Sequence, residues 1–407
     1  MWTPWTRRGA CCLRSSRLSD SCLAAASVTG RLLCHYHVRM QKLPSLLISI
    51  IAAALLMTAC AGAPPARQPH PTEIQIRDFI STAGLTDARG RFREIFCAVL
   101  EERGPDLPDY RPCREALTLV APEGGATDRP VPLGETHANY LILMVPGLGW
   151  NCFEKWLDLS FSVPRHVATF GYEARTVPVD GLSSSTNNAR MIRDYIAALP
   201  PEDAGRPLIL MGYSKGTPDI LEAVTGYPEI VGGRTVAVVS LAGSVRGSPL
   251  ANDATQAHAN MLTMVPGSAC EKVQGDNDAV ASLRTDLRRQ WLEDNPLPAH
   301  IRYYSVVTYP DPERISWALR KSYLLLGQQD DRNDTQVIIF DQIIPGSTLT
   351  ALVNADHWAI AVPVSREHPI LGKTAVDHND YPREALAEAL LRFIEEDLAH
   401  AEEPGER

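Results

Sequence analysis

The feature that most narrows the fold is the segment Pro207-Leu-Ile-Leu-Met-Gly-Tyr-Ser-Lys-Gly-Thr-Pro218. Four apolar residues, Leu208 to Met211, lead into Gly212-Tyr213-Ser214-Lys215-Gly216, and a helical pattern follows from Thr217 to Val224. A strand that turns into a helix this sharply leaves the residue at its apex with its side chain exposed. Such a turn has no room for side chains at 212 and 216, and glycine meets that demand. The helix N-terminus beyond it favours negative charge beside the serine. Ser214 is therefore the candidate nucleophile, with Gly212 and Gly216 forming its elbow.

Around this segment, apolar strand-like runs alternate with helical ones. The runs are Tyr140 to Val145, Arg175 to Val179, Leu208 to Met211, Val236 to Leu241, Ile301 to Thr308 and Leu349 to Val353. Helical patterns fall at Ala189 to Leu199, Thr217 to Val224, Glu313 to Leu326 and Arg383 to Ala399. Alternation of this kind predicts an α/β fold, a mostly parallel central sheet flanked by helices. The main domain spans 131–400. Residues 72–130 form a helical N-terminal extension with two or three helices between 72 and 116. Residues 252–298 interrupt the pattern and are read either as a small cap over the site or as a surface excursion.

A serine that attacks a carbonyl needs donors for the oxyanion, a base, and a carboxylate to hold that base. The amide of Lys215 is one candidate donor. The second comes from Pro146-Gly147-Leu148-Gly149 after the apolar run ending at Val145, with Leu148 preferred and Gly149 as the fallback. For the base, His357 in Asn354-Ala-Asp-His-Trp358 lies just past the last strand-like run, whereas His166, His368 and His378 read as locally bonded or solvated. The acid belongs between serine and histidine in chain order. Asp334 is first and Asp341 second, with Asp330 and Asp331 weaker; Asp356, adjacent to His357, reads as structural. The polar stretch Ser183-Ser-Ser-Thr-Asn-Asn188 reads as a solvated loop, with contact to polar substrate groups as the alternative.

From about 140 to 360 these motifs resemble the lipase and carboxylesterase branch of the α/β-hydrolase superfamily. Asn333-Asp334-Thr-Gln-Val337 is similar to the Asn-Asp-Gly-x-Val stretch around the catalytic aspartate of bacterial lipases, with Thr335 in place of glycine. Ser240-Leu-Ala-Gly-Ser-Val-Arg-Gly-Ser-Pro-Leu-Ala251 resembles the stretch after the fifth core strand in those enzymes. The resemblance implies the α/β-hydrolase fold and ester cleavage through Ser214, His357 and Asp334, without metal or organic cofactor. Two other readings stay open. One is a thioesterase or acyltransferase on the same scaffold, the other a non-catalytic envelope lipoprotein that uses the fold for binding.

The N-terminus bears on location. Arg39 and Lys42 precede twelve mostly apolar residues, Leu46 to Met57, too few for a membrane-spanning helix but suited to a signal peptide. Met57-Thr-Ala-Cys60 resembles the lipobox of bacterial lipoproteins, which implies a lipid on Cys60, an anchor in the cell envelope with the outer membrane favoured, and a tether over 60–71. Residues 1–39 read as a mis-assigned start within the 1–59 targeting segment. Those 59 residues hold seven of the 39 basic and one of the 48 acidic residues, leaving a net charge of −15 and no electrostatic basis for binding nucleic acid. Of the cysteines after Cys60, Cys97 with Cys113 and Cys152 with Cys270 are the preferred disulfides, four buried thiols being the alternative. No spacing suggests a metal site.

Overall fold

The computed structural model describes residues 72–120, 122–157, 162–254 and 275–402. Cys60, Cys270 and residues 255–274 of the 252–298 insertion lie outside the described residues.

Seven strands among the described residues form one sheet. They are β1 (Thr86–Asp87), β2 (Leu141–Val145), β3 (Glu173–Thr176), β4 (Leu208–Tyr213), β5 (Thr235–Leu241), β6 (Arg302–Thr308) and β7 (Thr348–Val353). Every pairing is parallel, in the order β1-β7-β6-β5-β4-β2-β3. The helices that position the sheet and its loops are α1 (Thr72–Thr82), α2 (Arg89–Arg103), α3 (Cys113–Ala116), α4 (Trp150–Leu157), α5 (Ser162–Ala168), α6 (Ser185–Ala197), α7 (Gly216–Gly226), α8 (Pro249–Asp253), α9 (Thr285–Asp294), α10 (Arg320–Leu326), α11 (Val364–Glu367), α12 (Pro369–Gly372) and α13 (Arg383–Glu402).

The sheet is buried on both faces, which is why its strands read as nearly continuous apolar runs. On one face Ile142, Ile209, Ala237, Val239, Tyr304 and Val306 pack with Phe92 and Phe96 of α2 and Leu386, Leu390 and Phe393 of α13. On the other, Leu141, Leu143, Leu208, Leu210 and Val238 meet Ile192 and Ile196 of α6 and Ile220, Leu221 and Val224 of α7. Each of the valine, leucine, isoleucine and phenylalanine side chains contributes roughly 1.5–3 kcal/mol by leaving water.

The helices of the 72–116 region belong to this core. Arg103 of α2 pairs with the fully buried Glu388 of α13 at 2.9 Å, and Arg91 with Glu396 at 2.7 Å. Glu388 also takes His166 at 2.8 Å and Arg392 at 2.9 Å, so its charge is compensated on several sides. A disulfide joins Cys97 of α2 to Cys113 of α3. Cys152 is also disulfide-bonded.

Three sequence expectations are corrected. Residues 72–116 contain a strand besides their helices, because Thr86 and Asp87 pair with Thr348 and Leu349 at the sheet edge. The helix expected over 313–326 is broken into two tight turns, Pro312–Arg314 and Trp317–Leu319, before α10. The stretch 183–188 is largely buried and internally bonded, with Ser184 capping α6 by accepting from the Asn187 amide at 3.1 Å.

Candidate active site

The chain order through the sheet explains where chemistry gathers. From β2 the chain moves outward to β3, then crosses back to β4 on the other side of β2 and continues through β5, β6 and β7. The loops leaving the carboxyl ends of β2 and β4 therefore lie side by side at the point where strand order reverses. The first is the Pro146–Gly149 loop and the second carries Ser214.

Ser214 has φ +54°, a left-handed conformation that a non-glycine residue adopts at a cost. The turn is held by its amide, which donates to Leu241 O at 3.0 Å, and by its carbonyl, which accepts from Thr217 N and Ser244 N at 3.1 Å. Close packing makes the two glycines obligatory. A Cβ on Gly216 would lie 2.0 Å from Val145 O, and one on Gly212 would lie 2.6 Å from Thr217 N.

His357 follows β7, and its Nε2 lies 2.8 Å from Ser214 Oγ while its Nδ1 lies 2.7 Å from Asp334 Oδ2. An ionised Asp334 can only accept, so Nδ1 carries the proton and Nε2 is left to accept from the serine hydroxyl. Asp334 is wholly buried, and its other bonds fix its orientation. Oδ1 accepts from the amides of Gln336 and Val337 at 2.9 and 2.8 Å, and Oδ2 accepts from Thr308 Oγ1 at 2.5 Å. The backbone ties the two loops as well, since His357 N donates to Asp334 O at 2.9 Å.

The other acids are placed elsewhere. Asp341 faces Arg289 at 3.6 Å, and burial raises its pKa. Asp356 accepts from the amides of Ser316, Trp358 and Ala359, and burial raises its pKa too. Asp330 is bonded to Arg332 at 2.6 Å. Asp331 lies in the same turn, where its backbone carbonyl accepts from the Asn333 amide at 3.2 Å.

In the loop after β2, the amide of Gly149 donates to Gly181 O at 3.0 Å and is thus engaged. Neither the amide of Leu148 nor that of Lys215 meets an acceptor among the described residues. The loop crowds the elbow, for a Cβ on Gly147 would stand 3.0 Å from Ser214 Cβ. Lys215's side chain turns away and is fully buried, its Nζ donating to Asp219 at 2.8 and 3.0 Å. Asn188 donates to that carboxylate at 2.7 Å.

Two contributors escaped the sequence reading. Thr308 ends β6 and donates to Asp334, and only its position at a strand's carboxyl end hinted at this. Tyr213, inside the elbow, donates its hydroxyl to His357 O at 2.8 Å, with ring centroids 5.3 Å apart. Burial raises the Tyr213 pKa, and the carboxylates of Asp334 and Asp356 add to the effect. Behind the elbow an apolar cavity of about 100 Å³ is lined by Met144, Trp150, Met211, Tyr213, Ile360 and Leu386. Ser214 and His357 do not line it. Among the described residues, no group of His, Cys, Asp and Glu is arranged to hold a metal ion.

No family model matches the chain, and no curated protein does. Among solved structures, a metagenomic carboxyl esterase is 36% identical over 84% of this chain and 99% of its own, with a TM-score of 0.71. A Bacillus licheniformis lipase in its mature form is 21% identical over 60% of this chain and 95% of its own, with a TM-score of 0.45. The Staphylococcus hyicus lipase is 12% identical over 67% of this chain and 100% of its own, with a TM-score of 0.47. The identity and near-complete coverage of the first relative decide the matter: the chain belongs to the α/β-hydrolase family, together with that carboxyl esterase.

Proposed function

We propose that the chain is a serine hydrolase that cleaves carboxylic esters. The observation that carries this reading is the relay Ser214–His357–Asp334, with both bonds under 3 Å and the serine held at a positive φ. Ser214 Oγ attacks the ester carbonyl as His357 Nε2 takes its proton. Asp334 holds the imidazole in the Nδ1–H form and stabilises the imidazolium. The amides of Leu148 and Lys215 receive the oxyanion, a role for which the engaged Gly149 amide is unsuited. His357 then returns the proton to the leaving alcohol, and water attacks the acyl-enzyme by the same route in reverse. The esterase activity in the name of the 36% identical relative supports the substrate class.

Labelling with a fluorophosphonate probe tests the chemistry. The native chain is expected to label and Ser214→Ala is not; equal labelling of both rules out Ser214 as the nucleophile. Hydrolysis of p-nitrophenyl esters of increasing chain length then separates a short-chain esterase from a lipase.

The same reading covers location: export, cleavage before Cys60, and a lipid on that cysteine anchoring the domain in a bacterial envelope, at the outer membrane. The apolar run before Cys60 supports it, as does the Cys97–Cys113 disulfide, since such bonds persist in oxidising compartments. Mass spectrometry of the mature N-terminus tests it, an unmodified Cys60 being the contrary result. No helix among the described residues is long and apolar enough to cross a membrane.

A further inference from the structure

A segment bonded to the loops of His357 and Asp334 carries a surface that the hydrolytic reading does not use. Between Arg314 and Gln329 the sequence reads Arg-Ile-Ser-Trp-Ala-Leu-Arg-Lys-Ser-Tyr-Leu-Leu-Leu-Gly-Gln-Gln, with three cations and no acid, in a chain whose acids outnumber its bases 48 to 39. Its apolar residues are divided between core and solvent. Ile315, Leu319 and Leu326 are buried, whereas Trp317 is 65% exposed, Leu324 55% and Leu325 47%. On α10, Arg320 and Leu324 stand one turn apart, as do Lys321 and Leu325, and all four are exposed. The helix thus presents two leucines beside two cations. The adjoining turn adds Ile370, 80% exposed, and the exposed Lys373, and it is tied to the strip by Ala318 N donating to Ala375 O at 2.9 Å. Asp377 accepts from the Trp317 amide at 2.8 Å.

The strip is clamped between the two loops that hold His357 and Asp334. Ser316 N donates to Asp356, the residue before His357, at 3.0 Å. Tyr323 O accepts from Asn333 Nδ2 at 3.4 Å, and Ser322 Oγ from Gln336 Nε2 at 3.4 Å, on either side of Asp334. Whatever docks on the strip is therefore brought to the edge of the serine site.

We propose that this strip, Trp317 with Arg320, Lys321, Leu324, Leu325 and Ile370, docks the protein on an anionic lipid surface. Four large apolar side chains, each 47% or more exposed, on one segment and the turn bonded to it call for a partner. Tryptophan and leucine suit the boundary between headgroups and acyl chains, and flanking lysine and arginine suit anionic headgroups. A soluble acidic partner would use the cations but leave the exposed indole and leucines without purpose.

The test uses the full chain carrying Ser214→Ala, so that no lipid is hydrolysed and docking is read apart from catalysis. Because the N-terminal segment can itself bind lipid, the readout is local: Trp317 emission, taken as the difference from a Trp317→Phe companion, against vesicles of phosphatidylglycerol or of phosphatidylcholine. A blue shift is expected with phosphatidylglycerol only. Arg320→Gln with Lys321→Gln is expected to move the midpoint to about 30-fold more lipid, at about fivefold per cation removed. Leu324→Ser with Leu325→Ser is expected to abolish the shift. An unshifted Trp317 signal, an equal response to both lipids, or a response to soluble polyglutamate that vesicles do not reproduce would overturn the proposal.

Discussion

Asp334→Asn isolates the step on which the proposed chemistry depends. Oδ1 accepts two backbone amides, from Gln336 and Val337, while Oδ2 accepts one hydroxyl and the imidazole. An asparagine amide placed at the Oδ1 position would face two donors and lose both bonds, so its NH2 must take the Oδ2 position. There the Thr308 hydroxyl rotates to accept, but His357 Nδ1 must also become an acceptor. The ring proton then moves to Nε2, which faces Ser214 and no longer receives the hydroxyl proton. The fold loses little, because all four contacts survive, two of them with donor and acceptor reversed, and exchanging a charged acceptor for a neutral one costs about 1–2 kcal/mol. Turnover loses far more, about ten-thousand-fold in kcat, as expected when a base is locked in the wrong tautomer. Steady-state hydrolysis of a p-nitrophenyl ester measures this, with circular dichroism confirming that the variant is folded. A folded Asp334→Asn that retains more than a tenth of native kcat refutes the reasoning, and a matching loss in Asp341→Asn instead would transfer the role to Asp341.

Other consequences follow from the same geometry. Asp341→Asn should leave kcat unchanged and raise thermal stability at about pH 8. The folded-state pKa of Asp341 is raised, so native stability falls as pH climbs from the ordinary carboxylate value through the raised one, and the variant escapes that loss. At about pH 3 the two melting temperatures should coincide, and a gain there equal to that at high pH would contradict the account. Gly216→Ala drives a Cβ to 2.0 Å from Val145 O, backbone that cannot yield, and should give insoluble or unlabelled protein; wild-type labelling would show the turn to be looser. Cys113→Ser opens a 16-residue separation and should cost about 3 kcal/mol in denaturant unfolding, with no change in KM. Lys215→Met should cost about 3–5 kcal/mol by leaving Asp219 buried without its cation, most of it recovered in Lys215→Met with Asp219→Leu; equal losses in the two would exclude the pair as the cause.

The architecture was legible where burial alone writes the pattern. β2, β4, β5, β6 and β7 are covered on both faces, and each appears in the sequence as an apolar run within a residue or two of its bounds. Legibility fails where partners decide. β3 is an edge strand whose Glu173 and Arg175 face Arg206 and Asp203, so its residues look polar, and the apolar Val177 and Val179 drew the expected strand past its end at Thr176. β1 is two residues with no pattern, visible only from its pairing with β7. The helix expected over 313–326 breaks where Ser316 gives its amide to Asp356, forty residues away in sequence. Among the acids, chain order and local resemblance placed Asp334 ahead of Asp341, yet nothing local to the sequence reveals that Thr308, at the end of another strand, orients Asp334.

The polar stretch 183–188 misled for an instructive reason. Its hydroxyls and amides look solvated, but most of the stretch is buried and Asn188 belongs to a chain of bonds beneath the serine turn. Asp180 orders the loop by accepting from the amides of Leu182 and Gly275, Asn188 bridges the Asp180 carbonyl and the Asp219 carboxylate, and Asp219 holds the Lys215 ammonium. Lys215 is thereby drawn under α7 while its amide stays at the turn beside Ser214. A residue placed there for its amide needs a side chain that packs out of the way, and an apolar one would suffice. The lysine instead ties the turn to the loop after β3 by directional bonds, which tolerate displacement less than apolar contact does. A serine held at φ +54° needs surroundings that fix it from several sides, and this chain supplies one of them. Polar residues near such a turn are thus ambiguous in sequence, because the same composition serves a wet surface and a dry, bonded foundation.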